Sequence, residues 1–535
     1  MPHAGFVRSI GPALGLLMLL AAGTGPATAA AGPDRPVVNT DRGAVRGRAH
    51  GAYRTFEGIP YAAPPTGALR WRLPEPAPRW PGVRDAGAPG ARCVQLPALG
   101  PGGPSGSEDC LYLNVTAPSG QGRPRPVMVW FHGGGFFSGA ADMYQPERLT
   151  VQGDAVVVTV NYRLGVFGLF GHPALGGAPD FAIADQQAAL RWVRSNAARF
   201  GGDPGNVTVF GESAGGLSVC AHLTAPGSAG LFHRAIVQSG SCSTAAPARS
   251  LLPTLGAYEP FVPEPRTVAD GVAATAGLGC DRPAGRDVLE CLRGLDTAAL
   301  ATPELMQAFS LVSYGNRLLP LEPRRALETG RFHRVPVLQG TTRDEMRLFV
   351  SQTLAAFPIV DEAAYRARLE LAFGASAAAI EARYPATRHP TPALTWAAVL
   401  SDASFTCPSL RDSGALARHV PTYGYRFSDP DAPNFTGLPA VEGFPFGATH
   451  GSELPYLFTT AVSLNGPQRE LSEVMTGYWT RFARTGTPNT PGAPDWPLFH
   501  APQARVLSLA PGAAGIHPVD ARAEHACDLW DEVDS

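Results

Sequence analysis

Through the first half of the chain, short unbroken apolar runs alternate with stretches of helical spacing. Residues 111–115, 126–131, 155–161, 206–211 and 231–239 are rich in Val, Leu, Ile and aromatic side chains. A strand buried on both faces needs such a run, because neither side of it meets water. Residues 182–200 differ: Ala188, Leu190, Trp192 and Val193 recur at helical spacing, and Gly201-Gly202-Asp203-Pro204 stops the helix. The alternation of strand and helix predicts an α/β architecture, a large and mostly parallel central sheet covered by helices on both faces.

Upstream, residues 37–71 read as short strands and turns, and the density of Pro and Gly over 74–106 predicts a long irregular loop. Beyond residue 250 the pattern is irregular, with helices expected at 265–276, 363–379 and 468–484 and one more clear strand at 336–340. Length alone, 535 residues, suggests roughly three or four domains. No internal repeat and no charged or Ser/Gly-rich linker divides the chain, so a single domain with helical insertions is expected over 30–535. Residues 1–29 read as a secretory signal peptide: Arg8 near the start, an apolar run at 13–22 broken by Gly15, then Ala27-Thr28-Ala29 as a cleavage motif. The run is shorter than the roughly 20 apolar residues that span a bilayer, and no later segment approaches that length. The mature chain is therefore expected to be secreted and extracellular, without membrane insertion.

Composition narrows the chemistry. The chain has 43 basic and 45 acidic residues, and removing Arg8 with the signal leaves 42 against 45, a net charge of about -3. Nothing in that balance suggests a nucleic-acid partner. All of the strong positive charge is Arg, since the chain contains no lysine. A Walker-type phosphate loop, a lysine Schiff base and a Ser-x-x-Lys nucleophile are thereby excluded. Eight cysteines, an even count in a chain read as exported, suit disulfides. Neither Cys-x-x-Cys nor His-Glu-x-x-His occurs, so no metal and no cofactor is expected.

The run at 206–210 drives into Gly211-Glu212-Ser213-Ala214-Gly215, a Gly-x-Ser-x-Gly sequence between a strand and a helix. A hydroxyl at the tip of so tight a turn needs neighbours with little side chain, and Gly211, Ala214 and Gly215 meet that need. Ser213 is the candidate nucleophile. A serine hydroxyl needs a base to take its proton, and the base needs an acid to hold its tautomer and stabilise the imidazolium. On a strand-turn-helix scaffold of this kind the partners follow in the order Ser, acid, His. The loop after 336–340, Thr341-Thr342-Arg343-Asp344-Glu345, offers Asp344 or Glu345. Downstream lie His389, His419, His450, His500, His517 and His525, of which only His450 sits among small residues, in Gly447-Ala448-Thr449-His450-Gly451-Ser452. His132-Gly133-Gly134-Gly135 follows the strand ending at Phe131, and amides of such a turn can converge on one oxygen. Gly134, Gly135 and Ala214 are the candidate oxyanion donors.

Phe56-Glu57-Gly58-Ile59-Pro60-Tyr61, Glu108-Asp109-Cys110-Leu111-Tyr112-Leu113-Asn114, Asn161-Tyr162-Arg163-Leu164-Gly165, Phe200-Gly201-Gly202-Asp203-Pro204 and the segment through Ser213 resemble, in order, the signatures of the type-B carboxylesterases. That family includes cholinesterases and para-nitrobenzyl esterases. The resemblance runs over nearly the whole mature chain and implies an α/β-hydrolase fold and a triad of Ser213, Glu345 and His450. It selects Glu345 because the family's acid is the glutamate of an Asp-Glu pair, and His450 because His450-Gly451-Ser452-Glu453-Leu454-Pro455 matches the family's histidine segment. Met346 stands where the family usually carries Gly, a departure that bears on the local backbone. The resemblance also implies a buried polar network of Glu212, Ser239 and Glu453 beside the histidine, where a negative charge would favour protonated His450. It implies the disulfides Cys93–Cys110, Cys280–Cys291 and Cys407–Cys527, and elimination leaves Cys220 with Cys242. A Cys93–Cys110 bridge would restrain the unfolded chain by ~3 kcal/mol.

Choline-binding members carry a tryptophan in the first disulfide loop as a cation-π platform. The segment between Cys93 and Cys110 has no aromatic residue, so cholinesterase activity is not expected. The same segment is too short and too rich in Pro and Gly to be the amphipathic lid of the family's lipase members. The expectation is a secreted serine carboxylesterase acting on uncharged short- to medium-chain small-molecule esters. A lipase acting on longer chains and a non-catalytic binding module are the alternatives, the second disfavoured by the full set of catalytic residues. With His450 at an ordinary imidazole pKa, the rate would fall below about pH 6.

Overall fold

Side-chain alternation decides the centre of the fold. In the strand Arg125–Phe131, Val127, Val129 and Phe131 enter one hydrophobic cluster while Met128 and Trp130 enter another. A strand apolar at nearly every position has no wet face and must lie between two layers. The structure is a computed structural model that describes residues 35–97, 102–120, 122–281, 287–501 and 503–533. The signal read at residues 1–29 lies outside the described residues.

Eleven strands form one mixed sheet. In chain order they are β1 (Arg48–Ala49), β2 (Tyr53–Pro60), β3 (Tyr112–Pro118), β4 (Arg125–Phe131), β5 (Val156–Val160), β6 (Gly202–Glu212), β7 (Arg234–Gln238), β8 (Val337–Thr342), β9 (Thr422–Phe427), β10 (Arg505–Leu509) and β11 (Ile516–Asp520). The spatial order is β11-β10-β9-β8-β7-β6-β4-β5-β3-β2-β1. From β10 across to β5 every neighbouring pair is parallel. The strands β3, β2 and β1 at one edge and β11 at the other join antiparallel. The helices Phe181–Asn196 and Ala214–Thr224 share one hydrophobic cluster with Val127, Val129 and Phe131, and the helix Gly466–Thr485 shares the other with Met128 and Trp130 through Met475, Trp479 and Phe482. The last of these is bounded by local signals: an Asn465–Gln468 capping box opens it and Gly486, with φ 82°, closes it.

Connectivity creates the crevice. β4 and β6 are neighbours, with Phe131 aligned to Gly211, yet β4 leads on to β5 at one side and β6 to β7 at the other. Where connections diverge in this way, a cleft opens beyond the carboxyl ends of the two strands. The His132–Gly135 turn and Ser213 are the first residues past those ends.

Several expected elements take a different form. The helix expected over 363–379 is two helices, Glu362–Phe373 and Ala377–Arg383, broken where Gly374 adopts φ 53°. The irregular stretch 74–106 contains a short strand, Val83–Asp85, parallel to Ala44–Arg46; its side chains are all exposed, so no apolar pattern marks it. Residues 392–417 form the helices Pro392–Ser401 and Cys407–Ala417 joined through a π-helical turn at Asp402–Thr406. β9 and β10 add strands beyond the one expected at 336–340. Disulfides join Cys93 to Cys110, Cys220 to Cys242, Cys280 to Cys291 and Cys407 to Cys527. The residues from Arg35 onward cluster as one compact unit. Among the described residues no helix is long and apolar enough to cross a membrane.

Candidate active site

Ser213 follows the last residue of β6 at φ 56°, ψ -122°, a conformation that costs an L-residue of order 1–3 kcal/mol and persists only where the surroundings enforce it. Its amide donates to Gln238 O at 2.9 Å and its carbonyl accepts from Leu217 N at 2.9 Å, so the turn is held from β7 and from the helix that follows. The small residues around it are obligatory. A Cβ on Gly215 would stand 1.9 Å from Phe131 O, which no side chain tolerates. The turn is thus driven into the backbone of β4, and Ser213 is left partly exposed above buried neighbours.

The glycine turn after β4 lies against the same serine: a Cβ on Gly133 would be 3.1 Å from Ser213 Cβ. Three consecutive carbonyls of this turn are held. Tyr162 OH donates to His132 O at 2.5 Å, His132 Nδ1 donates to Gly133 O at 2.8 Å, and the amides of Phe137 and Ser138 donate to Gly134 O at 3.1 and 3.0 Å. In a trans peptide the next N–H points opposite to the carbonyl, so the N–H groups of Gly133, Gly134 and Gly135 face away from these braces. His132 is buried against Tyr162, and burial lowers its pKa to about 4, leaving a neutral ring whose Nδ1–H serves the turn. Among the described residues, the amides of Gly134, Gly135 and Ala214 have no protein acceptor.

Glu345 and Asp344 point in different directions. Glu345, fully buried, receives Thr342 N on Oε1 at 2.8 Å and His450 Nδ1 on Oε2 at 2.6 Å. Asp344 is occupied elsewhere, by Ala448 N at 3.0 Å and by Arg343 and Arg347 at 2.8 and 2.9 Å. Met346 sits at φ -82°, ψ -1° and donates its amide to Ser401 Oγ at 2.9 Å. No glycine is required at that position.

On its other side His450 Nε2 approaches Glu212 Oε1 at 3.1 Å, but neither atom has a hydrogen-bond partner, so the contact is electrostatic. The rings of Phe349 and Phe405 lie 5.1 and 5.2 Å from the imidazole, closing it off from water. Burial opposes the charged imidazole, yet the carboxylates of Glu212 and Glu345 outweigh it and push His450 up to about 9. Burial raises Glu212 to about 8, against the pull of His450, and raises Glu453 to about 7. This differs from the ordinary imidazole assumed from sequence, because three carboxylates surround the ring.

Glu453 is connected through a residue the sequence did not single out. Gln238 Nε2 donates to Glu453 Oε1 at 3.0 Å, while Gln238 Oε1 accepts from Trp479 Nε1 at 3.1 Å. Ser239, beside it at φ 48°, is buried with no hydrogen-bond partner for its hydroxyl. Gln238 was visible only as a polar residue at the end of an apolar run; Phe349 and Phe405 carried no signal at all. Among the described residues there is no group of three or more His, Cys, Asp or Glu placed to hold a metal ion.

A serine on a strained strand-to-helix turn at the switch point of a mostly parallel sheet defines a hydrolase of the α/β-hydrolase fold. The chain belongs to the carboxylesterase family, which it matches over residues 34–530. It is 34% identical to the para-nitrobenzyl esterase of Bacillus subtilis (strain 168) over 497 residues, covering 88% of this chain and 94% of that one. To the cocaine esterase of Oryctolagus cuniculus it is 35% identical over 513 residues, covering 89% and 92%. Among solved structures, a thermophilic PNB esterase superposes with a TM-score of 0.74 at 30% identity, over 93% of this chain and 100% of the other. The protein is a carboxylic-ester hydrolase acting on small-molecule esters.

Proposed function

We propose that the protein is a secreted serine carboxylesterase of uncharged short- to medium-chain esters, working through an acyl-enzyme. Ser213 Oγ attacks the ester carbonyl carbon while His450 Nε2 takes its proton, and Glu345 holds the ring by Nδ1 and stabilises the imidazolium. The carbonyl oxygen, now negative, is received by the amides of Gly134, Gly135 and Ala214. Collapse of the tetrahedral intermediate expels the alcohol, which takes the proton from His450. Water then repeats the sequence at the acyl carbonyl and releases the acid and Ser213.

The observation that carries this reading is the 2.6 Å hydrogen bond between His450 Nδ1 and Glu345 Oε2, made beside the Ser213 turn. The Phe349 and Phe405 rings against His450 support an apolar, uncharged substrate. Relatives named para-nitrobenzyl esterase and cocaine esterase support the small-ester class. Four disulfides support an oxidising compartment, in keeping with residues 1–29 as a signal and 30–535 as one catalytic domain.

Turnover of para-nitrophenyl acetate and butyrate by the purified protein, with Ser213→Ala alongside, tests the reading. Loss of turnover in the variant, together with loss of fluorophosphonate labelling, is expected; undiminished turnover sinks the assignment. A series of para-nitrophenyl esters of increasing chain length sets the acyl preference, and a preference for emulsified long-chain triglyceride would replace it with a lipase.

A further inference from the structure

The first disulfide segment reaches the glycine turn through one side chain. Gln95 is only 6% exposed, and its amide is used in full. Nε2 donates to Cys93 O at 3.0 Å and to Gly139 O at 3.2 Å, while Oε1 accepts from Gly139 N at 3.0 Å and from Ser138 Oγ at 3.5 Å. Donor and acceptor close on both polar groups of Gly139, which requires a side-chain amide: a carboxylate lacks the donor, a hydroxyl the reach. Gln95 is itself fixed. Its backbone exchanges hydrogen bonds with Ser105 at 2.9 and 3.0 Å, the adjacent Leu96 N donates to Phe137 O at 3.0 Å, and Cys93 is bonded to Cys110.

Gly139 and Ser138 form the leg of the turn on which the carbonyl braces depend. Ser138 N holds Gly134 O, and through the planar trans peptide that bond aims the Gly135 N–H. Gly139 also backs the His132 ring, since a Cβ there would stand 2.3 Å from His132 Nδ1, the atom that holds Gly133 O and so aims the Gly134 N–H. A shift of this leg therefore disturbs both amides together.

We propose that Gln95 is a positioning residue for the oxyanion donors, anchoring the Gly134–Gly135 turn to the Cys93–Cys110 segment. The inference rests on the reading of Gly134 and Gly135 as oxyanion donors. Gln95 touches no reacting atom; it acts through Gly139 and Ser138. Its loss leaves Ser213, His450 and Glu345 in place and displaces the donors, which weakens the transition state more than the bound substrate.

Gln95→Ala is therefore expected to lower kcat by about 10- to 100-fold with KM little changed, the scale on which a displacement near 1 Å acts. The specific readout is an aryl trifluoromethyl ketone. Ser213 Oγ adds to its carbonyl carbon, the proton passes to His450, and the carbonyl oxygen becomes an oxyanion in the donor site. Affinity for this ketone falls with kcat, whereas affinity for a non-reacting aryl alcohol stays constant. Gln95→Glu, of equal size but without the donor to Gly139 O, carries the same test if the alanine variant does not fold. Wild-type kcat in both variants, or equal loss of affinity for ketone and alcohol, overturns the inference. If Ser213→Ala retains turnover, the esterase reading itself has failed; if Ser213→Ala is dead and Gln95→Ala is unimpaired, only the positioning role has failed.

Discussion

His450 Nε2 stands 3.1 Å from Glu212 Oε1 while Nδ1 of the same ring is bonded to Glu345 Oε2 at 2.6 Å. The imidazole thus lies between two carboxylates in a site dry enough for both to act on it strongly. The free-enzyme limb of the pH–rate profile should follow. Since the base must be neutral to accept the Ser213 proton, and the carboxylates raise His450 to about 9, kcat/KM falls as pH drops through that raised value. Glu212→Gln removes the larger of the two raising charges and moves the limb toward lower pH. Profiles of kcat/KM for para-nitrophenyl acetate in both proteins check this; an unmoved limb contradicts it.

The same cluster sets a stability trend. Glu212 and Glu453 titrate at about 8 and about 7 when folded, against an unperturbed 4.5, so between those values the folded chain binds more protons than the unfolded one. Stability then falls as pH rises through that window. His450 acts with the same sign: its raised value contributes stability that is full below 6.5 and lost as pH rises through about 9. Tm should decline from pH 6 to pH 9, and Glu212→Gln should flatten the decline. A wild-type Tm that rises over this range would contradict the sign.

The neighbours Asp344 and Glu345 should separate cleanly in kinetics. Glu345→Gln keeps the shape but loses the charge that holds the imidazolium, and kcat should fall by about 10⁴-fold. Asp344→Asn weakens the bonds to Ala448, Arg343 and Arg347 instead, costing roughly 1–3 kcal/mol of stability and leaving kcat nearly intact. Steady-state kinetics and denaturant titration of the two variants decide between them.

Gly215→Ala tests how far the elbow is enforced. The added methyl would lie 1.9 Å from Phe131 O, so β4 and β6 must separate at their carboxyl ends. A stability loss of about 1–3 kcal/mol is expected from the overpacking. Activity should fall about 100-fold as Ser213 moves from the glycine turn. Ala214→Gly, measured in parallel, adds no atom and should show neither clash.

What could be read from the sequence was local. The apolar runs of β4 to β7, the helix stop at Gly201 and the small residues around Ser213 depend on neighbours within a few positions, where steric limits on φ and ψ act directly. Local order also narrowed the acid to two adjacent residues. The chain alone could not choose between them by chemistry: what separates Glu345 from Asp344 is which carboxylate faces His450, 105 residues away, and resemblance rather than residue physics made the choice. The break at Gly374 and the exposed strand Val83–Asp85 escaped the apolar pattern for different reasons, one being a turn made by the positive φ of a single glycine and the other lacking any buried side. Ser213 as a candidate was thus written in its turn. Which groups surround His450, and how Gln95 meets Gly139 across 44 residues, was decided only by tertiary packing, which brings together polar groups whose partners no local pattern encodes.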